Sequence, residues 1–287
     1  MLKKYLAVVL ISTSLTSFAC SIDGKEGFVP ENHLNISPTA KIKNNMDITT
    51  FNEIIDKVEK VYAPIIASMN ATLSVERYWN DGTVNAYASQ DGDTWEVAMF
   101  GGLARHHTIT NDAFRLVVCH EVGHHIGGAP KYSGGDWASN EGQADYFAGL
   151  KCLRRTFRGE DNIAIVAAMN IPAEVTQTCE SQFSSADDQA ICKRSSMAGL
   201  SGAKLFQDLR GQSTAPDFTT PDLRTVNRTN DNHPDTQCRL DTYYSGAICG
   251  IDDAQDVDQN DESVGVCYRN SGDTIGVRPL CWFKPAI

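Results

Sequence analysis

Residues 119–124 read Cys119-His120-Glu121-Val122-Gly123-His124, and residues 140–145 read Asn140-Glu141-Gly142-Gln143-Ala144-Asp145. Histidines at i and i+4 on a helix project from one face and can share a metal ion. A glutamate beside that face is placed to take a proton from a zinc-acidified water. The HExxH spacing of His120, Glu121 and His124 is therefore the signature of zinc hydrolysis chemistry. The motif also arises by chance, so its setting has to carry it. Residues 111–118 supply a cap residue, an acidic first turn and an apolar stripe, and Gly127-Gly128 supplies a stop. The motif is thus expected inside a buried helix over 111–126. The bland alternative is a helix with two satisfied core histidines and a surface glutamate.

A catalytic zinc keeps three protein ligands and one open position. In one known pattern, the metzincin one, a third histidine follows six residues after the second, but Pro130 stands there. In the gluzincin pattern a glutamate on a following helix binds, with an aspartate four residues later. Glu141 and Asp145 fit it, 17 and 21 residues after His124. One zinc per chain is therefore expected on His120, His124 and Glu141, with Asp145 accepting a hydrogen bond from a ligand histidine. The bland alternative is an acidic helix N-terminus.

The elements that position these residues belong to a chain of 287 residues, enough to bury a full core, and one catalytic domain with appended segments is expected. Residues 1–19 read as a secretory signal, with Lys3-Lys4 before a short apolar run. Ser17 and Ala19 suit ordinary signal peptidase, and Ala19-Cys20 is similar to a bacterial lipobox. Nine cysteines is an odd number, and a lipid on Cys20 leaves eight to pair. Paired cysteines suit an oxidising compartment. Near neighbours suggest Cys179 with Cys192, Cys238 with Cys249 and Cys267 with Cys281, leaving Cys119 and Cys152 paired or as buried thiols; eight cysteines allow roughly a hundred pairings. A net charge of −11 argues against nucleic acid and against electrostatic binding to anionic bilayers. Membrane contact is expected only through an N-terminal lipid anchor. The expected location is outside the bacterial cytoplasm, as a periplasmic or outer-membrane lipoprotein or a secreted protein.

Residues 20–46 read as a polar tether, and residues 47–287 as the metal domain with a cysteine-rich C-terminal extension. A helix is expected over 47–69, with Thr50 and Glu53 as a capping box and Pro64 as a kink or break. Short strands are expected at Thr72–Tyr78, 83–88 and Thr94–Phe100, separated by Asp81-Gly82 and Asp91-Gly92 turns. Helices are expected at 111–126, 138–156, 162–169 and 186–209, then a short helix after Asp235 and a cysteine-bearing tail. The resulting class is α+β: a small sheet against active-site helices, with a disulfide-stapled C-terminal part.

Several motifs recur in a fixed order: Asn85-Ala86-Tyr87-Ala88, then Val97 to Phe100 with Gly102-Leu103, then His120 to His124, then Glu141 with Asp145. Later come His233-Pro234 and Arg239. Together they resemble the HtpX-like and CaaX-prenyl-endopeptidase family of gluzincin metallopeptidases, over scattered motifs covering roughly half the chain. The resemblance implies that Asn85 lies on the strand edging the cleft, where a substrate peptide adds as an extra strand. It implies that His233 approaches the metal to stabilise the oxyanion or gate the site, and that Arg239 supports it. The bland readings are a loop histidine before proline and an ordinary strand asparagine. The transmembrane helices and helical-repeat tail of other branches find no counterpart, so a soluble or lipid-tethered member is implied.

His106, His107 and His125 are read as non-ligands; His125 points about 100° off the ligand face. Asp256-x-Asp258-x-Asn260 fails as a calcium loop because Asp261 and Cys267 stand at its glycine and glutamate positions. The expected function is zinc-dependent hydrolysis of peptide bonds in extended or unfolded protein segments, with Glu121 as proton carrier. The rivals are a zinc-holding protein-binding or chaperone-like module with little turnover, and a zinc hydrolase acting on another substrate such as a cell-wall peptide.

Overall fold

The computed structural model describes residues 17–18 (backbone only), 27–41, 43–133 and 137–286. Helix α1 (Ile48–Ser68) buries Phe51, Ile54, Ile55, Val58, Tyr62 and Ile66, a stripe at helical spacing. Its cap is Asp47, whose carboxylate accepts from the Thr50 amide at 2.8 Å, not the expected Thr50–Glu53 box. Pro64 does not break it, because the buried stripe continues through Tyr62 and Ile66 on either side.

The sheet has the order β1-β3-β4-β2. Strand β1 (Ser17–Phe18) pairs antiparallel with β3 (Ala86–Asp91), β3 pairs antiparallel with β4 (Thr94–Phe100), and β4 runs parallel to β2 (Thr72–Tyr78). The middle strand was expected at 83–88 and starts three residues later. Thr83 is spent on a turn, its amide and hydroxyl both donating to Asp81, and it also bridges to Asn35.

After the short α2 (Gly101–Arg105) comes α3 (Asn111–Ile126), the motif helix, capped by Thr110 and packed against α1 and the sheet. The expected helix over 138–156 is three pieces: α4 (Glu141–Phe147), a π-helical turn (Ala148–Cys152) and α5 (Leu153–Phe157). Its start is fixed by Asn140, whose side chain accepts from the Gln143 amide at 3.0 Å. Then follow α6 (Asn162–Ala167), α7 (Ala173–Gln182), which the sequence reading passed over, α8 (Ala186–Leu209) and α9 (Thr236–Ile248). Helix α9 lies against the π-helical turn at close range: a Cβ on Gly149 would meet the Tyr243 carbonyl at 2.6 Å, and one on Gly246 the Tyr146 carbonyl at 2.5 Å. The result is a mixed fold of helices and one small sheet.

Among the described residues four disulfides form: Cys119–Cys152, Cys179–Cys192, Cys238–Cys281 and Cys249–Cys267. The expected Cys179–Cys192 pair is present, but Cys238–Cys249 and Cys267–Cys281 are not. Cys238 lies in the first turn of α9 and Cys249 just past its end, roughly 16 Å apart at helical rise, too far for one bridge. Each instead bonds the tail folded beside it. Cys119–Cys152 ties the motif helix to the π-helical turn after the second motif.

Residues 27–46 are not a free tether. Phe28 and Val29 are fully buried and Met46 nearly so, and the Asn44 amide donates to the carbonyls of Ala104, His106 and Ile109. The proposed signal cleavage site, Cys20 and the start of the tether lie outside the described residues. No described helix is long and apolar enough to cross a membrane.

Candidate metal centre

Helix α3 sets His120 and His124 one turn apart, and the first residue of α4, Glu141, faces both. His120 Nε2 lies 3.1 Å from His124 Nε2 and 3.3 Å from Glu141 Oε2, and His124 Nε2 lies 3.7 Å from Glu141 Oε1. All three residues are at most 1 % exposed. The far ring nitrogens are occupied: His120 Nδ1 is 2.7 Å from Asp145 Oδ1, and His124 Nδ1 is 2.8 Å from the Ser139 carbonyl. Each neutral imidazole therefore carries its proton on Nδ1 and turns its Nε2 lone pair toward the other.

Two ring nitrogens and a carboxylate converging in a dry site repel unless a proton on His120 or a bound cation joins them. Zinc–ligand bonds of about 2.0–2.1 Å in a tetrahedron place donor atoms roughly 3.3–3.4 Å apart. The observed spacings bracket that value, so this donor set fits a four-coordinate divalent cation with three protein ligands.

The surrounding charges are arranged for it. Burial pushes the Asp145 carboxyl up, but Arg239 and His120 beside it hold it below the usual range. Burial likewise raises Glu141, and His233, His120 and His124 together bring it well below that range. Burial lowers His120, yet Asp145 and Glu141 outweigh it and carry its pKa to about 9. At His124 burial outweighs the pull of Glu141 and brings the pKa down to about 4. Glu121, fully buried, is pushed up to about 8 by desolvation, against the pull of His120.

The remaining expected residues are found as follows. His233, before α9, brings Nε2 to 3.2 Å from Glu141 Oε2 and 2.9 Å from the Gly27 carbonyl. Arg239 supports the centre through Asp145, at 2.5 Å, rather than through His233, and it also donates to the Phe28 carbonyl at 3.1 Å. Asn85 stands just before β3, and its side chain holds the backbone of Val29: its Oδ1 accepts from the Val29 amide at 3.1 Å and its Nδ2 donates to the Val29 carbonyl at 3.0 Å.

The sequence reading missed Tyr132, whose hydroxyl donates to Glu141 Oε1 at 2.9 Å, and Ser139, whose carbonyl sets the His124 tautomer. Both lie in the connection between the motifs, where spacing carries no information. It also missed the support behind α4. The Gln143 amide donates to the Gly127 carbonyl at 2.6 Å and accepts from Arg278 at 2.7 Å, and Trp282 fills the space beside Gly142.

His125 is not in the candidate metal group; it stacks on Trp95 and Trp137, with Nε2 3.0 Å from the Glu96 carbonyl. His106 and His107 meet Asp208 in a second group. There His106 Nε2 is 3.2 Å from Asp208, and its Nδ1 is 2.9 Å from the Thr108 hydroxyl. Asp222, Cys238 and Cys281 also meet, but both sulfurs are already joined in a disulfide. Asp258 uses its carboxylate to accept from the amides of Asn260 and Asp261, closing its own loop.

No protein-family model matches this chain, no curated protein matches its sequence, and no solved structure matches its fold.

Proposed function

We propose that this chain is a zinc-dependent endopeptidase of the gluzincin type, related to the HtpX-like group, acting on extended or unfolded protein segments outside the bacterial cytoplasm. The observation that carries the reading is the pair of Nε2 atoms 3.1 Å apart and facing Glu141, with Glu121 buried beside them. Zinc held by His120, His124 and Glu141 would supply Lewis-acid polarisation of a carbonyl and acidify a water. Glu121 takes the proton from the attacking water and delivers it to the leaving amine. His233 donates from Nε2 to the developing oxyanion, a preorganised interaction worth about 3–4 kcal/mol. Asp145, anchored by Arg239, holds His120 in the Nδ1–H tautomer. The four disulfides support an oxidising compartment, as an exported protein would meet. Cys20 is the proposed lipid attachment point.

The test is zinc quantification and casein cleavage by the oxidised chain beside its Glu121→Gln variant. Both should hold close to one zinc, and chelator-sensitive cleavage should fall by about 10²-fold or more in the variant. A folded wild-type chain that takes up no zinc overturns the reading.

A further inference from the structure

The four residues of the motifs are enclosed, at most 1 % exposed, so a peptide carbonyl has no approach to the donor set in this conformation. Against them lie residues 27–29, held along their backbone. The Gly27 carbonyl accepts from His233 at 2.9 Å, and the Phe28 amide donates to the Ala86 carbonyl at 2.9 Å. Arg239 donates to the Phe28 carbonyl at 3.1 Å, and Asn85 clamps both the amide and the carbonyl of Val29. The Phe28 ring sets its edge on His120 at 5.0 Å and also meets Phe206 and Arg239. At Gly27 the backbone approaches so closely that a Cβ would lie 2.1 Å from the Ala86 carbonyl.

These are the contacts expected of a bound peptide. The residue assigned to the oxyanion holds a peptide carbonyl, the strand lip at Asn85 and Ala86 supplies main-chain hydrogen bonds, and one large side chain fills a pocket beside a metal ligand. The surrounding sequence is also right for displacement, since Glu31, His33, Leu34 and Asn35 are exposed.

We infer that residues 27–29 are an internal occupant of the substrate cleft, and that the chain is latent until this segment is displaced. The inference rests on the peptidase reading for what the cleft is for. It also describes the substrate class: an extended segment with a large aromatic or apolar residue preceded by glycine, whose missing side chain the Ala86 carbonyl requires.

The experiment uses the zinc-loaded full chain with a specific endoprotease site inserted between His33 and Leu34, before and after cutting. Zinc release to a chromogenic chelator and casein cleavage are both followed. An intramolecular occupant competes at a roughly millimolar effective concentration, so cutting and dilution should raise both rates about tenfold or more. A synthetic peptide of residues 27–32 should reverse both effects, and uncut Phe28→Ala should shift both rates in the same direction as cutting. Faster zinc release with no cleavage of any protein substrate would leave the cover in place and overturn the peptidase reading. Casein cleavage as fast before cutting as after would overturn the latency and leave that reading intact. Unchanged zinc release, or loss of the near-ultraviolet circular dichroism on cutting, would show that the segment is simply core and overturn the inference.

Discussion

Replacing Asp145 with asparagine separates two jobs that one carboxylate performs. Asp145 is fully buried between His120 Nδ1, at 2.7 Å, and the fully buried Arg239, at 2.5 Å. Asparagine keeps the shape and removes the charge. Breaking a buried pair by removing one partner costs about 3–5 kcal/mol, because the other charge is left unpaired. Arg239 retains the Phe28 carbonyl and the Phe206 ring at 4.0 Å, so a loss near the lower end, about 3 kcal/mol, is expected. Separately, losing the anionic acceptor behind a ligand histidine should weaken zinc about 10- to 100-fold. Urea unfolding of chelator-treated chains reads the first effect, and zinc competition with a chromogenic chelator reads the second. The double variant Asp145→Asn, Arg239→Met removes the stranded charge, so it should recover most of the stability and none of the zinc affinity. A stability loss below about 1 kcal/mol would refute the buried-pair argument. Zinc affinity within about twofold of wild type would refute the role assigned to Asp145 at the metal.

Trp282 is fully buried against Gly142, where an added Cβ would lie 2.3 Å from the indole. Trp282→Ala should cost about 3–5 kcal/mol by calorimetry and Gly142→Ala about 1–3, the latter also weakening zinc through Glu141. Glu160 is held down to about 2 by Lys57, Arg115 and Arg194 against the opposing effect of burial. Its folded pKa is depressed, so its contribution is present above the ordinary glutamate value and is lost as the pH falls toward 2. Allowing for its partial solvent access, Glu160→Gln should remove roughly 1–2 kcal/mol of stability at neutral pH and flatten the acid limb of the unfolding profile. Zinc uptake at pH 7 should release between about one and two protons, from His120 and Glu121, measured by calorimetry in buffers of different ionisation enthalpy; no release would contradict the charge assignment.

The motif helix was readable because its information is local. His120 and His124 share a face by spacing alone, and Glu141 with Asp145 repeats that logic on the next helix. The same locality explains the failures. The π-helical turn at 148–152 carries Gly149, which packs closely against α9, an element far along the chain that local spacing cannot register. Cysteine pairing by nearest neighbour ignored that a helix separates Cys238 from Cys249. Residues 27–46 look polar in sequence, and nothing in their pattern says that Phe28 will seat against His120. Asn85 was expected on a strand edging a cleft; it stands just before β3, and what it grips is Val29.

The charges of the site make sense only as a set. In the field of the protein alone, Arg239 balances Asp145, and a proton on His120 balances Glu141, while desolvation keeps Glu121 largely neutral near pH 7. A divalent cation among the three ligands takes over the proton's role at His120 and adds one positive charge in excess. That excess favours the Glu121 carboxylate, the form able to accept a proton. The residue proposed as the base is thus held neutral by the same burial that encloses it, and a cation would release it. A structural metal site has no need of such a group, since an apolar residue at position 121 would be cheaper to bury. The coupling of Glu121 to His120 and Glu141 is accordingly the strongest electrostatic argument for the proposed turnover.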